Sequence, residues 1–347
     1  MQNFSSAQKH RPQVDMKKES RTQPVKAAAK VLCFGSLNID YTYSVPRFVE
    51  RGETVPSTRL DTFTGGKGLN QSIALARAME ISSSADIADC ESAAGSAHSV
   101  SIAGMIGEEG IFLKDAMDAA GVDTSLMRVL SDIRTGHAII QNNAEGDNCI
   151  IIFGGANREI TPSYADEVLS HFSAGDVIVM QNEISSVSNI MKAAAAKGMK
   201  IVMNPSPIDD EVFRLPLELT DLMILNEIEA GALLGKQVDV RDAIKDAEAL
   251  AEKYSCKAVI TLGPYGAACS DGRESFSVGG IKINTIDTTG AGDTFTGYLV
   301  AEMISGKNLR EAVNTAIYAS ALECTRKGAA PSIPTMSEVK EFMGISR

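Results

Sequence analysis

The chain has 347 residues, 44% of them hydrophobic and 5% aromatic, which predicts one large α/β domain with a substantial core. Its net charge of −11 argues against a nucleic-acid partner, because binding phosphate backbones requires an excess of Lys and Arg. The six cysteines lie far apart without a CxxC pair and indicate neither a zinc site nor a disulfide framework. The absence of a long apolar run or an apolar signal segment predicts a cytoplasmic protein that does not enter a membrane.

The chain divides into a tail and a single domain. Residues 1–29 are polar and basic without helical or strand periodicity, which predicts a disordered tail. A mitochondrial transit peptide is the alternative interpretation, weakened by the two acidic residues of the tail and its few apolar residues. Residues 30–347 form the predicted domain, interrupted at 81–98 by a segment rich in Ser, Ala and Asp that predicts a surface insertion.

The first predicted elements are strands. KVLCFGSLNID, at residues 30–40, is an apolar run of strand length that ends in small and polar residues. Four half-exposed, alternating segments within about 41–63 and 134–156 predict a small sheet apart from the main body, and VSIAGMIG at 100–107 predicts one further strand.

Beyond residue 161, strand-like and helix-like segments alternate. The strand-like runs DVIVMQ, MKIVMNP, DLMILN and KAVITLG are separated by helical patterns, which predicts a parallel sheet with crossover helices. The apolar alternation of GGIKINTI at 279–286 predicts another strand that leads directly into a helix. Ligands bind such sheets at the carboxyl ends of the strands. The polar and glycine residues predicted there are Asn38, Asp40, Glu183, Asn204, Asn226 and Gly263.

The stretch TTGAGDTF follows this predicted strand. Gly290, Ala291 and Gly292 leave backbone N–H groups uncovered at the start of an apolar helix, where the helix dipole favours an anion. Asp293, in the first turn, could accept the proton of a substrate hydroxyl during phosphoryl transfer. The alternative is a capping acid after a tight turn.

Two further stretches carry groups suited to a polyhydroxylated ligand. The glycines of GGKG, residues 65–68, permit close backbone approach, and Asn70 can hydrogen-bond vicinal hydroxyls; the spacing is not that of a Walker A motif. Asn38 and Asp40 share one face if their strand continues, although a strand-end turn explains them equally well.

Three stretches have a structural and a functional interpretation. Asn226 and Glu229 lie on one face at a helix start, where they could order a hydrated Mg²⁺ or simply cap the helix. TLGPYG, at 261–266, could lie along a nucleotide or reverse the chain. TRKGAAPSIP, at 325–334, could surround a monovalent cation with carbonyl oxygens or anchor the end of the chain.

In order, GSLNID, GGKGLNQS, MQNE, NPSP, LNEIEA, TLGPYG, DTTGAGDTF and TRKGAAPSIP resemble the PfkB carbohydrate kinase family over about residues 31–334. The resemblance implies a three-layer α/β/α fold with a mainly parallel central sheet and a small β-sheet lid. It implies transfer of a phosphoryl group from ATP to O5 of D-ribose, giving D-ribose 5-phosphate and ADP, with Mg²⁺ and an activating K⁺. The alternatives are 2-deoxyribose, fructose or adenosine as substrate, or a non-catalytic sugar or nucleotide sensor. A homodimer formed through the lid is also implied.

The resemblance also assigns residues to roles. Asp293 would be the general base, and Gly290, Ala291 and Gly292 would form the anion hole. The sugar would be bound by Asn38, Asp40, Gly66, Lys67, Gly68, Asn70, Glu183 and Asp293. The ATP site would comprise Asn204, Thr261, Leu262, Gly263, Pro264, Tyr265, Gly266, Gly292, Asp293 and Ile317. K⁺ would lie near Asp287, Thr289, Glu323, Arg326, Gly328 and Ser332, and Mg²⁺ would be held through water by Asn226 and Glu229.

Four residues depart from the family pattern. Ile317 replaces a residue that is often polar near the adenine, and Pro264 with Tyr265 changes the nucleotide loop. Glu323 stands where a small residue is common. These departures bear on nucleotide preference and on K⁺ activation.

Overall fold

A computed structural model of the chain describes residues 29–80, 99–143, 145 and 147–345. The predicted insertion at 81–98 and all but the last residue of the predicted tail lie outside this part. The strands are β1 Val31–Phe34, β2 Asn38–Ser44, β3 Arg59–Gly65, β4 Val100–Ala103, β5 Met105–Gly107, β6 Arg128–Leu130, β7 Gly136–Asn142, β8 Asn148–Phe153, β9 Val177–Gln181, β10 Lys200–Asn204, β11 Leu222–Asn226, β12 Lys257–Thr261, β13 Ala267–Ser270 and β14 Ser275–Val278. The helices are α1 Lys67–Ala78, α2 Ile111–Ala119, α3 Pro162–Leu169, α4 Val187–Ala196, α5 Glu227–Leu234, α6 Ala243–Tyr254, α7 Ala291–Ile304, α8 Leu309–Glu323 and α9 Met336–Phe342.

The main sheet has eight strands in the order β14, β13, β12, β11, β10, β9, β1, β4. The six strands from β12 to β4 are parallel, while β13 runs antiparallel to β12 and β14 antiparallel to β13. Side chains of the strands alternate between two buried apolar clusters, one against α1, α7 and α8 and the other against α3 to α6. This arrangement confirms the predicted three-layer α/β fold.

A separate four-stranded sheet has the order β3, β2, β7, β8. Strand β2 pairs antiparallel with β3 and parallel with β7, which pairs antiparallel with β8. The strands lie largely in the segments that the sequence assigned to a small sheet, and residues 54–58 precede β3 rather than belonging to it. However, β2 begins at Asn38, so the predicted run 30–40 is divided between β1 of the main sheet and the start of β2. Strand β8 is exposed along its whole length, including Ile151 and Phe153, of which 61% and 51% are exposed.

One predicted strand is divided into two, and another was wrong. VSIAGMIG breaks at Gly104 into β4 and β5, which belong to different sheets, because the Tyr164 hydroxyl and Arg128 N–H bond to the backbone of Gly104. GGIKINTI is not a strand: β14 ends before it, and Ile286 N–H donates to the carbonyl of Cys324 at the end of α8 instead of to a strand. Helix α7 therefore follows a loop.

Within the described residues, no helix combines the length and the apolar character needed to cross a membrane.

Candidate active site

The carboxyl ends of the central strands converge on the start of α7. Gln181, Asn204, Asn226 and Thr261 are the last residues of β9, β10, β11 and β12, so four neighbouring strands end in polar side chains. Helix α7 directs its first turn at this edge, as expected for a ligand site in a parallel sheet.

Gly290 precedes α7 with a φ of 90°, a left-handed conformation that favours glycine. A β-carbon there would lie 2.7 Å from Glu323 Oε1 and 2.9 Å from Ala329 Cβ. A β-carbon on Gly292 would meet no atom within 4 Å, so the backbone is uncovered at that position. No N-cap side chain bonds to the N–H groups of the first turn, although Ala291 N–H donates to Thr288 O at 3.3 Å. These N–H groups and the helix dipole provide the elements of an anion site.

Asp293 lies in that first turn and is 7% exposed. Its Oδ2 accepts a hydrogen bond from Asn70 Nδ2 at 3.0 Å, and its Oδ1 accepts one from Gln71 Nε2 at 2.9 Å. Both donors belong to α1, which packs beside α7. Asn70 Oδ1 is buried and has no hydrogen-bond partner among the described residues, so an acceptor next to Asp293 is left for a ligand.

Helix α1 enters the site through the predicted glycine stretch. Gly66 has a φ of 94°, and a β-carbon there would lie 2.7 Å from Ser36 O and 2.8 Å from Asn38 N. Only glycine permits this approach, which places Lys67 and Gly68 against the turn between β1 and β2.

The predicted sugar-binding residues meet beside this turn. Asn38 and Asp40 pair with successive residues of one face of β7, so β2 continues through both. Of the two interpretations that the sequence left open, the structure shows the continuing strand and not the strand-end turn. Asn157 Nδ2 donates to Asn38 Oδ1 at 2.8 Å, and Ser36 Oγ donates to Glu183 Oε2. The polar side chains are thus held in place by neighbours.

Burial, together with the charges of Glu183 and Asp293, raises the pKa of Asp40 to about 7. Among the residues that the structure describes, no hydrogen bond to the Asp40 carboxyl offsets this burial. Burial lowers the pKa of Lys67, but the carboxylates of Asp293, Glu183 and Glu229 outweigh burial, and the pKa is raised. Lys67 is therefore a firmly protonated cation between the carboxylates.

A cavity of about 240 Å³ lies between α7, α5 and the strand ends. Its lining includes Lys67, Asn204, Asn226, Glu229, Thr261, Gly290, Gly292 and Asp293, so these predicted residues are brought together. Asn226 and Glu229 also form a capping box. Asn226 Oδ1 accepts from the N–H groups of Ile228 and Glu229 at 2.9 and 2.8 Å, while Glu229 Oε2 accepts from Asn226 N at 2.9 Å.

Other residues predicted for the ATP site lie outside the lining of this cavity. Leu262 is 5% exposed, and residues 263–265 form a single 3₁₀ turn from which Tyr265 projects with 65% exposure. Ile317 is 5% exposed and belongs to the core cluster against α8.

The predicted cation-site residues form a second polar cluster behind Gly290. Asp287 accepts from Thr289 N at 3.0 Å and Gly328 N at 3.0 Å, and these bonds outweigh burial and lower its pKa. Ser332 Oγ lies 3.3 Å from Glu323 Oε1.

The remaining two residues of this cluster differ in orientation. Glu323 is 1% exposed, and burial, aided by the charges of Asp293 and Asp287, raises its pKa to about 8. Its Oε2 has no hydrogen-bond partner among the described residues. The Arg326 side chain turns away to Glu338, which it contacts at 2.7 Å, so only the Arg326 backbone could serve a cation.

Sequence reasoning missed four polar residues that support the site: Ser36, Gln71, Asn157 and Gln181. Gln71 and Gln181 fell within the motifs GGKGLNQS and MQNE, but no role was assigned to them. Asn157 lies in no motif and reaches the site only because residues 155–158 form a 3₁₀ turn beside β1 and β7.

The fold and this site define a sugar kinase of the α/β/α type, and residues 28–336 match the model of the pfkB family carbohydrate kinases. The chain belongs to this family. It is 34% identical over 319 residues to the ribokinase of Staphylococcus aureus, covering 90% of this chain and 99% of the relative.

Solved structures give the same result. Ribokinase from Cryptococcus neoformans in complex with ADP superposes with a TM-score of 0.75 at 32% identity, covering 90% of this chain and 99% of that one. Arabidopsis thaliana ribokinase complexed with ribose and ATP superposes with a TM-score of 0.76 at 27% identity, covering 92% and 100% of the two chains.

Proposed function

We propose that the chain is an ATP-dependent ribokinase that phosphorylates D-ribose at O5. The observation that carries this proposal is the buried Asp293 in the first turn of α7, next to the uncovered backbone of Gly292 and hydrogen-bonded to Asn70. The similar ribokinases, two of them solved with ADP or with ribose and ATP, support ribose as the sugar.

In the proposed reaction, Asp293 accepts the proton of the O5 hydroxyl as that oxygen attacks the terminal phosphorus of ATP. The O5–P bond forms, the bond between the terminal phosphorus and the bridging oxygen breaks, and ADP leaves with the electron pair. The N–H groups of Gly290 to Gly292 stabilise negative charge on the transferring group, because no side chain obstructs them. Lys67, cationic at neutral pH, adds positive charge beside the same cavity.

The sugar would occupy the space between the small sheet and α1. Asn38, Asp40, Glu183 and the free Oδ1 of Asn70 offer acceptors and donors for its hydroxyl groups. An Asp40 carboxyl with a pKa of about 7 can donate a hydrogen bond when protonated and accept two when ionised. Such a polar pocket suits ribose better than an apolar substrate.

ATP would enter from the side of Asn204 and Thr261, with its phosphates in the 240 Å³ cavity. Mg²⁺ neutralises phosphate charge when bound. The carboxylate of Glu229 fits a hydrated Mg²⁺, since one of its oxygens caps α5 and the other is available to bound water. Asn226 Oδ1 is committed to two N–H groups, so Asn226 acts mainly by placing Glu229.

K⁺ activation is part of the proposal. The cluster behind Gly290 combines the Asp287 carboxylate, the Ser332 hydroxyl and the unpartnered Glu323 Oε2, which are oxygen donors suited to a hard cation. Because Gly290 contacts this cluster, a cation there would stabilise the turn that precedes the anion hole.

The small sheet is proposed as a lid that excludes water, which would otherwise compete with the sugar for the phosphoryl group. Its outer strand β8 exposes Ile150, Ile151, Ile152 and Phe153, which alternate between the two faces of the sheet. Exposed apolar side chains on an edge strand are typical of a protein interface. We propose that two lids pair to form a homodimer, and that the protein acts in the cytoplasm.

A coupled ADP-release assay tests the proposal. Purified protein with Mg·ATP is given ribose, 2-deoxyribose, fructose or adenosine, each with and without K⁺. The account predicts turnover on ribose, stimulated by K⁺. Turnover only on another substrate would contradict ribose specificity, and no turnover on any substrate would favour a sensor.

A further inference from the structure

No role in catalysis or binding is assigned to Gln71, yet its side chain lies at the centre of the site. It is 0% exposed, and its Nε2 donates to Asp293 Oδ1 at 2.9 Å and to Asn204 Oδ1 at 3.2 Å. Its Oε1 accepts a hydrogen bond from Gln181 Nε2 at 2.7 Å. One side chain thus joins the proposed base, a residue of the nucleotide side and the end of β9.

The surroundings allow only one orientation of the Gln71 amide. Rotating the amide by half a turn would place its oxygen against Asp293 Oδ1 and replace attraction with repulsion. Gln181 supports the observed orientation by donating to Gln71 Oε1, although its own Oε1 is buried without a hydrogen-bond partner among the described residues. The orientation of Asn204 is consistent with that of Gln71. Asn204 Nδ2 donates to Ile224 O at 3.0 Å, so its Oδ1 is the atom that accepts from Gln71.

Each hydrogen bond of this network therefore has a defined donor. Gln181 donates to Gln71, and Gln71 donates to Asp293 and Asn204. With Asn70 on Oδ2 and Gln71 on Oδ1, an N–H group donates to each oxygen of Asp293. Bonds of this kind also fix the direction in which the remaining lone pairs point.

We infer that Gln71 is a positioning residue that orients the Asp293 base relative to the nucleotide side of the site, and that Gln181 supports the orientation of Gln71. This inference rests on the proposed kinase function. The alignment of the base with the nucleotide then depends on a chain of hydrogen bonds between buried amide side chains, and not on α7 alone.

A double-mutant cycle tests the inference. Gln71→Met keeps the length of the side chain but removes both N–H bonds, and kcat is expected to fall about 10- to 100-fold, the value of a hydrogen bond to a charged group. The KM for ribose is expected to change less than about threefold, since Gln71 holds the base and not the sugar. In an Asp293→Asn background, the same substitution is expected to lower kcat by less than about threefold, because the group it positions is gone.

Two further variants separate positioning from folding. Ser72→Ala removes a buried hydroxyl from the same helix that bonds to Leu69 O at 2.8 Å and not to the site, and is expected to leave kcat within about twofold. Gln181→Met keeps both N–H groups of Gln71 but removes the hydrogen bond that supports the orientation of the Gln71 amide. It is expected to lower kcat less than Gln71→Met does, and again only when Asp293 is present.

Additive effects of Gln71→Met and Asp293→Asn, or an equal loss of kcat in Ser72→Ala, would overturn the inference. Failure of the unmodified protein to phosphorylate ribose would contradict the proposed function instead. The cycle is then measured with whichever sugar of the panel is phosphorylated, and silence on every sugar would overturn both.

Discussion

Asp40 gives the prediction that follows most directly from the electrostatics of the site. Its carboxyl is buried beside Glu183 and Asp293, and its pKa rises from the ordinary value of 3.8 to about 7. The folded protein therefore binds this proton more tightly than the unfolded chain does. The contribution of Asp40 to the free energy of unfolding therefore falls as pH rises from about 4 to about 7, and the loss is complete above that window.

Asp40→Asn removes this titration while keeping the shape of the side chain. At about 1.4 kcal/mol for each pH unit between the two pKa values, the variant should exceed the unmodified protein in stability by about 2 kcal/mol at pH 5 and about 4 kcal/mol at pH 8. The same variant should bind ribose about 10- to 100-fold more weakly, since a sugar hydroxyl loses an ionisable partner. The Asp40 carboxyl would thus lower the free energy of unfolding while it strengthens ribose binding.

Urea unfolding followed by circular dichroism at both pH values measures the stability difference, and calorimetry measures ribose affinity. Asp115→Asn, at an exposed aspartate of α2, is the control and should show no pH-dependent difference. A stability difference between Asp40→Asn and the unmodified protein that does not grow with pH would refute the reasoning.

Three other perturbations have expected outcomes. Asp293→Asn should lower kcat about 10²- to 10⁴-fold with a much smaller loss of ribose affinity, and equal losses in turnover and calorimetry would assign Asp293 to binding. Gly290→Ala should lower the free energy of unfolding by about 1 to 3 kcal/mol, because the added carbon would lie 2.7 Å from Glu323 Oε1 in left-handed backbone; unchanged urea unfolding would contradict this. Ile151→Lys, on the outer strand β8, should shift sedimentation at micromolar concentration from dimer to monomer, and a monomeric unmodified protein would remove the dimer proposal.

The parts of the fold with strong local signals could be predicted from the sequence. The alternation of apolar strands and helices after residue 161 determined the layers, since only a parallel sheet accommodates such crossovers. The strand predicted for GGIKINTI was wrong because an alternating pattern forms a strand only where another strand is available for pairing. Ile286 N–H instead donates to a carbonyl at the end of α8. Gly104 similarly interrupts a continuous apolar run because a distant tyrosine bonds to its backbone.

The same limit applies to the candidate site. Asp293, Asn70 and Asp40 stood out because their residue types and positions next to glycines or strand ends are unusual for a core. Gln71 and Gln181 did not, because a glutamine within an apolar helix or at a strand end is ordinary until its partners are known. Asn157 could not have been found, since its contact with Asn38 spans 119 residues and depends on the completed fold.

Phosphoryl transfer to O5 of ribose is tested by identifying the product with nuclear magnetic resonance after incubation of the protein with Mg·ATP and D-ribose. The account predicts a single sugar phosphate whose phosphorus couples to the protons on C5, formed in equal amount with ADP. Phosphate on another carbon, or ADP formed without a sugar phosphate, would contradict transfer to O5 by Asp293.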